Sequence, residues 1–204
     1  MRRRFEKIMA LPATASDNRA RVARVLAFAR GCGISASKPR LLDVGAGLGV
    51  FPAAMREAGW DAIALEPDAR TVDHLRTVAK VEALMDDFLK LNPAQVGRFD
   101  AISFNKVLEH VEDPVTLLQA ASGFLTPHGF VYVEVPDIAA AADGPGREEF
   151  FVEHHHVFSP ASVALLARGA GFSVSAIERL REPSTKYTLR AFLRHAPKQI
   201  EVRA

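Results

Sequence analysis

Cysteine is nearly absent, Cys32 being the one such residue in 204. A lone thiol excludes an intramolecular disulfide and leaves no cysteine partner for a zinc site. Long apolar runs are missing as well, and nothing approaches the roughly 18 consecutive apolar residues of a spanning helix. Neither sign of charge prevails, with 26 Lys and Arg against 24 Asp and Glu. That balance argues against a dedicated nucleic-acid binder, which carries a basic face. Arg2, Arg3 and Arg4 lead into no apolar run, so they do not begin a secretory signal and are expected to form a solvated, frayed terminus. Taken together, the absences fit a reducing, cytoplasmic setting with no membrane span.

What is present suits a globular chain. Apolar residues make up 49% of the sequence, and the length is that of one domain over residues 1–204. No internal repeat or linker divides it. Ser16 and Asp17 offer a cap for an N-terminal helix over 17–32, on which Arg19, Arg21 and Arg24 read as one solvated face. From Arg40 onward, strands and helices alternate. Strands are expected at Arg40–Val44, Asp61–Leu65, Val81–Met85, Phe99–Phe104 and Phe130–Val135. The helices between them start near Val50, Asp68 and Pro114, the last running to about Leu125. A mixed segment, 136–158, follows the fifth strand, and Ser159 caps another helix. Two strands close the pattern, Phe172–Ile177 and Tyr187–Leu193. The stretch between these two is too short for a parallel crossover, so the last strand should insert antiparallel. The expectation is an α/β, Rossmann-like three-layer sandwich around a seven-stranded, mostly parallel sheet.

The chemistry-bearing residues fall at strand ends. Leu41-Leu42-Asp43-Val44 runs into Gly45-Ala46-Gly47-Leu48-Gly49, where glycines allow a tight turn and close approach of a ligand to the backbone. In open α/β sheets, ligands bind beyond the carboxyl ends of the strands. Glu66 ends the next strand, where a carboxylate can accept hydrogen bonds from both ribose hydroxyls. The alternative for Glu66 is a cap, with Pro67 and Asp68, on the helix that follows. A dinucleotide fingerprint would put a third glycine at position 50, where this chain has Val50.

The glycine pattern with Asp43 ahead of it resembles motif I of the class I S-adenosylmethionine-dependent methyltransferases. Asp86-Asp87-Phe88 is similar to that family's adenine-binding acidic site. Phe99 to Val111, containing Asn105-Lys106-Val107-Leu108-Glu109-His110, resembles the strand and loop flanking the cofactor in its small-molecule branch, and Leu125-x-Pro127-x-Gly129-Phe130 resembles the turn before its fifth strand. The resemblance spans Leu41 to Leu193. It implies S-adenosylmethionine as cofactor, with Asp43, Gly45, Ala46, Gly47 and Gly49 around the methionine part. Glu66 and Pro67 would lie at the ribose and Asp86, Asp87 and Phe88 at the adenine. Asn105, Lys106, Val107 and His110 would lie along the sulfonium side.

A small-molecule acceptor is expected, by resemblance a sugar or polysaccharide precursor methylated on oxygen, nitrogen or carbon. Candidate bases are His110, His154, His155 and His156, the last three within the substrate-facing 136–158 segment. No metal is assigned. The His154–His156 triplet could line a metal site with Glu148, Glu149 and Glu153 nearby, but adjacent residues of an extended chain point in opposite directions, so at most His154 and His156 share a side. Two further readings stay open, a nicotinamide-dependent oxidoreductase on a related sheet and a cofactor-binding protein without catalysis. The sequence does not fix the oligomeric state.

Overall fold

The computed structural model describes residues 1–34 and 36–196, so the end of the expected 1–204 domain lies outside the described residues. Its seven strands form one sheet in the order β3-β2-β1-β4-β5-β7-β6. They are β1 (Arg40–Val44), β2 (Asp61–Glu66), β3 (Glu82–Met85), β4 (Phe99–Asn105), β5 (Leu125–Pro136), β6 (Phe172–Arg181) and β7 (Tyr187–His195). The first five pair in parallel, and β7 inserts antiparallel between β5 and β6. The short β6–β7 connection allows nothing else.

Helices α1 (Arg2–Met9), α2 (Asp17–Gly31), α3 (Val50–Glu57), α4 (Ala69–His74), α5 (Pro93–Val96), α6 (Pro114–Ala120) and α7 (Pro160–Gly169) complete the fold. Successive strand residues face opposite sides, so both faces of the sheet carry core. Ala53 of α3, Val72 of α4 and Leu75 just after it form a further cluster with Ala64 and Ala83. Leu42, Val44, Ile102, Phe104, Val131 and Val133 pack under α6 and α7. Leu41, Ala101, Phe130 and Tyr132 pack under α2 and α3. None of the described helices is long and apolar enough to cross a membrane.

Several boundaries follow their caps. Ser16 accepts from Arg19 N–H at the start of α2 and Asp68 from Thr71 N–H at the start of α4, while Ser159 and Ser162 form a reciprocal capping box on α7. Four expectations need correction. The arginine triplet is not frayed but opens α1, held because Phe5 and Met9 pack against the α3–α4 core and Phe5 meets the His74 ring edge-on at 5.8 Å. The helix from Pro114 stops at Ala120 and passes through a 3-10 turn. β5 therefore begins at Leu125, which pairs with Phe99 ahead of a register shift. β6 extends to Arg181, because its outer half still pairs with β7.

The fourth correction concerns α2. Arg21 is not on a solvated face: its guanidinium turns inward to the fully buried carboxylate of Glu134, at 2.5 Å. Tyr132 donates its hydroxyl to the same carboxylate, and Arg190 reaches it at 2.8 Å. Arg190 also grips Glu182 through both carboxylate oxygens, at 2.8 and 3.0 Å. Burial raises the Glu134 pKa, but the two guanidiniums outweigh it and hold the carboxyl down at about 2.

Candidate active site

The glycine loop is fixed from three sides. Asn18 of α2 donates to the Val50 carbonyl at 2.9 Å, and buried His74 of α4 reaches the Leu48 carbonyl at 3.2 Å. The Gly47 N–H donates to the Glu66 carboxylate, tying the loop to the end of β2. Gly45 and Gly49 hold φ values of +68° and +74°, and a Cβ on Gly45 would come within 2.7 Å of Val107. Glycine is therefore required at Gly45 by conformation and by space together.

Beyond this loop lies a cavity of about 540 Å³, within the range of small-molecule sites. It sits at the carboxyl ends of β1 to β4, where the strand order reverses between β1 and β4. Gly45, Glu66, Pro67, Asp86, Asp87, Phe88, Lys106, Val107 and His110 line it. Asp87 also caps the turn after β3 through Leu89 N–H at 3.0 Å. Burial raises the Glu66 pKa, and the Gly47 N–H opposes it.

The other expected cofactor residues stand around or beneath the cavity and do not line it. Ala46, Gly47 and Gly49 form the back of the loop. Asp43 is 2% exposed and accepts from Ser103 Oγ at 2.6 Å and from Asn105 Nδ2 at 2.8 Å. Burial lifts its pKa to about 7 against both hydrogen bonds. Asn105 Oδ1 is buried without a partner. An orphaned acceptor beside a carboxylate suits a bound cationic group. No residue of α2 lines the cavity, so α2 does not cover it. Its Arg21 instead lines a neighbouring groove with Arg4, Lys7, Val50 and Lys186.

A second cavity, about 180 Å³, adjoins the first and is lined by Lys106, Glu109, His110, Pro136, Glu149, His154, Lys186 and Tyr187, among others. Lys106 and His110 line both. The 136–158 segment makes one wall, anchored by the Glu149 carboxylate, which accepts from Tyr187 N–H and pairs with Arg147 at 3.0 Å. The Glu109 carbonyl fastens it again, accepting from His155 N–H at 2.7 Å.

The structure separates the histidines. His110 Nδ1 faces the Glu153 carbonyl at 3.1 Å and His154 Nδ1 the Glu149 carbonyl at 2.9 Å. A carbonyl only accepts, so in each neutral ring Nδ1 carries the proton and Nε2 keeps the lone pair. Their rings meet edge-on at 4.8 Å. His155 is exposed, and His156 turns away to the Val111 carbonyl at 3.1 Å, so neither lines either of these two cavities. The segment turns here instead of running extended, so His154 does not share a side with His156. It meets His110 and Glu109, their ligand-type atoms all within 4.8 Å, a spacing that could hold a metal ion. Glu109 Oε2 is buried and unpartnered.

From the sequence Glu109 carries no role of its own, Arg21 reads as solvated and Glu149 only as a nearby oxygen ligand. The signal for Glu109 was its place beside His110. The others depend on contacts between residues distant in the chain.

A sheet of this order, with a glycine loop over β1 and an acid ending β2, is that of a Rossmann-like α/β protein. A family model described as a methyltransferase domain matches residues 3–177, and the chain belongs to that family, with the class I S-adenosylmethionine-dependent fold. A ubiquinone biosynthesis O-methyltransferase of Xanthomonas campestris pv. campestris is 32% identical over 108 residues, 50% of this chain and 45% of that protein. One from Xanthomonas axonopodis pv. citri is 29% identical over 160 residues, 71% of this chain and 67% of that protein. The chain thus spans about half the length of several curated relatives it matches. Among solved structures, magnesium protoporphyrin IX methyltransferase from Synechocystis, with bound S-adenosylhomocysteine, superposes with a TM-score of 0.71 at 13% identity, covering 95% of this chain and 94% of that one. A Burkholderia thailandensis 1,6-didemethyltoxoflavin-N1-methyltransferase gives 0.64 at 22% identity, over 96% and 84%.

Proposed function

We propose that this protein methylates a small polar molecule with S-adenosylmethionine as donor, cofactor in the larger cavity and acceptor in the smaller one. The observation that carries the reading is that the two cavities meet at Lys106 and His110. Glu66 would hold the ribose hydroxyls, and Asp87 and Phe88 the adenine. Asp43 and Asn105 would lie behind Gly45 at the methionine end. When bound, the cofactor supplies an electrophilic methyl carbon on a sulfonium.

The chain's own contribution is position. Holding a nucleophile in line with that carbon supplies much of the rate acceleration such transfers need. His110 and His154 offer Nε2 lone pairs that can accept from an acceptor's O–H or N–H groups, and Glu109 Oε2 adds a third acceptor. A wall built of hydrogen-bond acceptors suits a polyhydroxylated ligand, in line with the sugar or glycan-precursor class suggested by the sequence. His155 and His156 have no part in this reading.

The test is transfer of a labelled methyl group to a panel of sugars, sugar phosphates, phenols and amines. Label in a small-molecule product supports the proposal, and label found only in protein or nucleic acid contradicts it. Stabilisation by NAD and not by S-adenosylmethionine in a melting experiment would favour the oxidoreductase reading instead.

A further inference from the structure

We infer that Lys106 is the proton acceptor of the transfer. The inference rests on reading the two cavities as cofactor and acceptor sites. Lys106 stands at their junction, and its placement is unusual in three respects. Its backbone is left-handed, with φ +59°, a region that side chains other than glycine, Asn and Asp seldom occupy outside constrained sites. Its N–H donates to the Glu134 carbonyl at 2.9 Å, which holds that conformation. Its half-buried amine donates to Thr188 Oγ1 at 2.9 Å and forms no ion pair among the described residues. A charged ammonium in such a place would normally be matched by a carboxylate.

The groups facing it come from four elements. Glu134 of β5 is already committed to Arg21 of α2 and to Arg190 of β7. Glu109 follows β4, and Lys186 precedes β7. Burial pushes the Lys106 amine down from its ordinary range, Arg21 and Lys186 push the same way, and Glu134 and Glu109 oppose them. A neutral amine can keep one N–H on Thr188 and turn its lone pair to the acceptor cavity.

The step balances. The acceptor's oxygen or nitrogen forms its bond to the methyl carbon, the carbon–sulfur bond breaks with the pair kept by sulfur, and the acceptor's proton passes to Lys106 Nζ. One positive charge leaves sulfur as one appears on the amine, so the site's net charge stays constant. An ammonium beside a sulfonium is disfavoured before transfer and tolerated after it. Proton uptake by Lys106 therefore follows the reaction.

The test reads the lysine directly. The Lys106 Cε resonance is followed against pH in the complexes with S-adenosylmethionine and with S-adenosylhomocysteine, and assigned with Lys106→Met, or Lys106→Arg if Met does not fold. The sulfonium complex should show a midpoint lower by about one pH unit or more than the thioether complex. Equal midpoints in the two complexes overturn the inference while leaving the cofactor reading intact. Failure of both ligands to bind overturns the cofactor reading and the inference with it. In single turnovers at saturating cofactor, with the acceptor found by the labelled panel, Lys106→Met should lower the rate by about 10²–10⁴-fold. An unchanged rate overturns it as well.

Discussion

Asp43 and Glu66 hold carboxylates at neighbouring strand ends, and their surroundings give them different tasks. Asp43 is enclosed behind the glycine loop, and burial lifts its pKa to about 7. Below that pH the folded protein keeps the proton that the unfolded chain releases, so ionised Asp43 costs stability as pH rises from its usual range towards 7. A cationic ligand group beside it favours the ionised form and reverses that cost. Cofactor affinity should accordingly rise between pH 6 and pH 8 by up to about tenfold. In Asp43→Asn it should be weaker and flat over the same range, as titration calorimetry at the two pH values would show. Glu66, half-buried at the cavity wall, is available to the ligand directly.

At the scale of elements, the 136–158 segment owes its shape to hydrogen bonds more than to regular structure. Glu149 takes Tyr187 N–H and Arg147, and the Glu109 carbonyl takes His155 N–H. Glu149→Ala should release the segment with little change in the sheet. Limited proteolysis should then cut between residues 144 and 153 faster than in the wild type, while the melting temperature changes little. Equal cleavage rates would show that the segment is held by other contacts.

Much at this scale was legible in the sequence. Ser16, Asp68 and Ser159 announce their helices because a capping side chain acts on residues two or three positions away. The antiparallel β7 follows from the length of one connection. The inward turn of Arg21 was not legible, because its partner Glu134 lies on another layer and an arginine on a helix reads as solvated until that partner is known. The same holds for Glu182 of the β6–β7 turn, which is 6% exposed against Arg190. The histidine triplet misled by sequence adjacency: its members separate because the chain turns there.

Across the whole molecule, the Arg21–Glu134–Arg190–Glu182 network links α2, β5, β7 and the β6–β7 turn. Removing one member of a buried ion pair leaves the others charged and unmatched. Glu134→Ala should therefore destabilise the fold by about 3–5 kcal/mol, measured by urea denaturation. The pH dependence has a definite sign. The folded-state pKa of Glu134 is depressed to about 2, so its stabilisation is present above the ordinary Glu range and is lost as pH falls from about 4.5 towards 2. Wild type should lose more stability than Glu134→Gln over that interval. Equal losses would mean that the network does not act as drawn.

The central claim is that the larger cavity holds S-adenosylmethionine with Glu66 at the ribose. Isothermal titration of S-adenosylmethionine and S-adenosylhomocysteine into wild type and Glu66→Ala tests it most directly. The wild type should bind both ligands, and the variant should lose about 1–3 kcal/mol of affinity. Absence of binding to the wild type, or equal affinity in the two proteins, would contradict the claim.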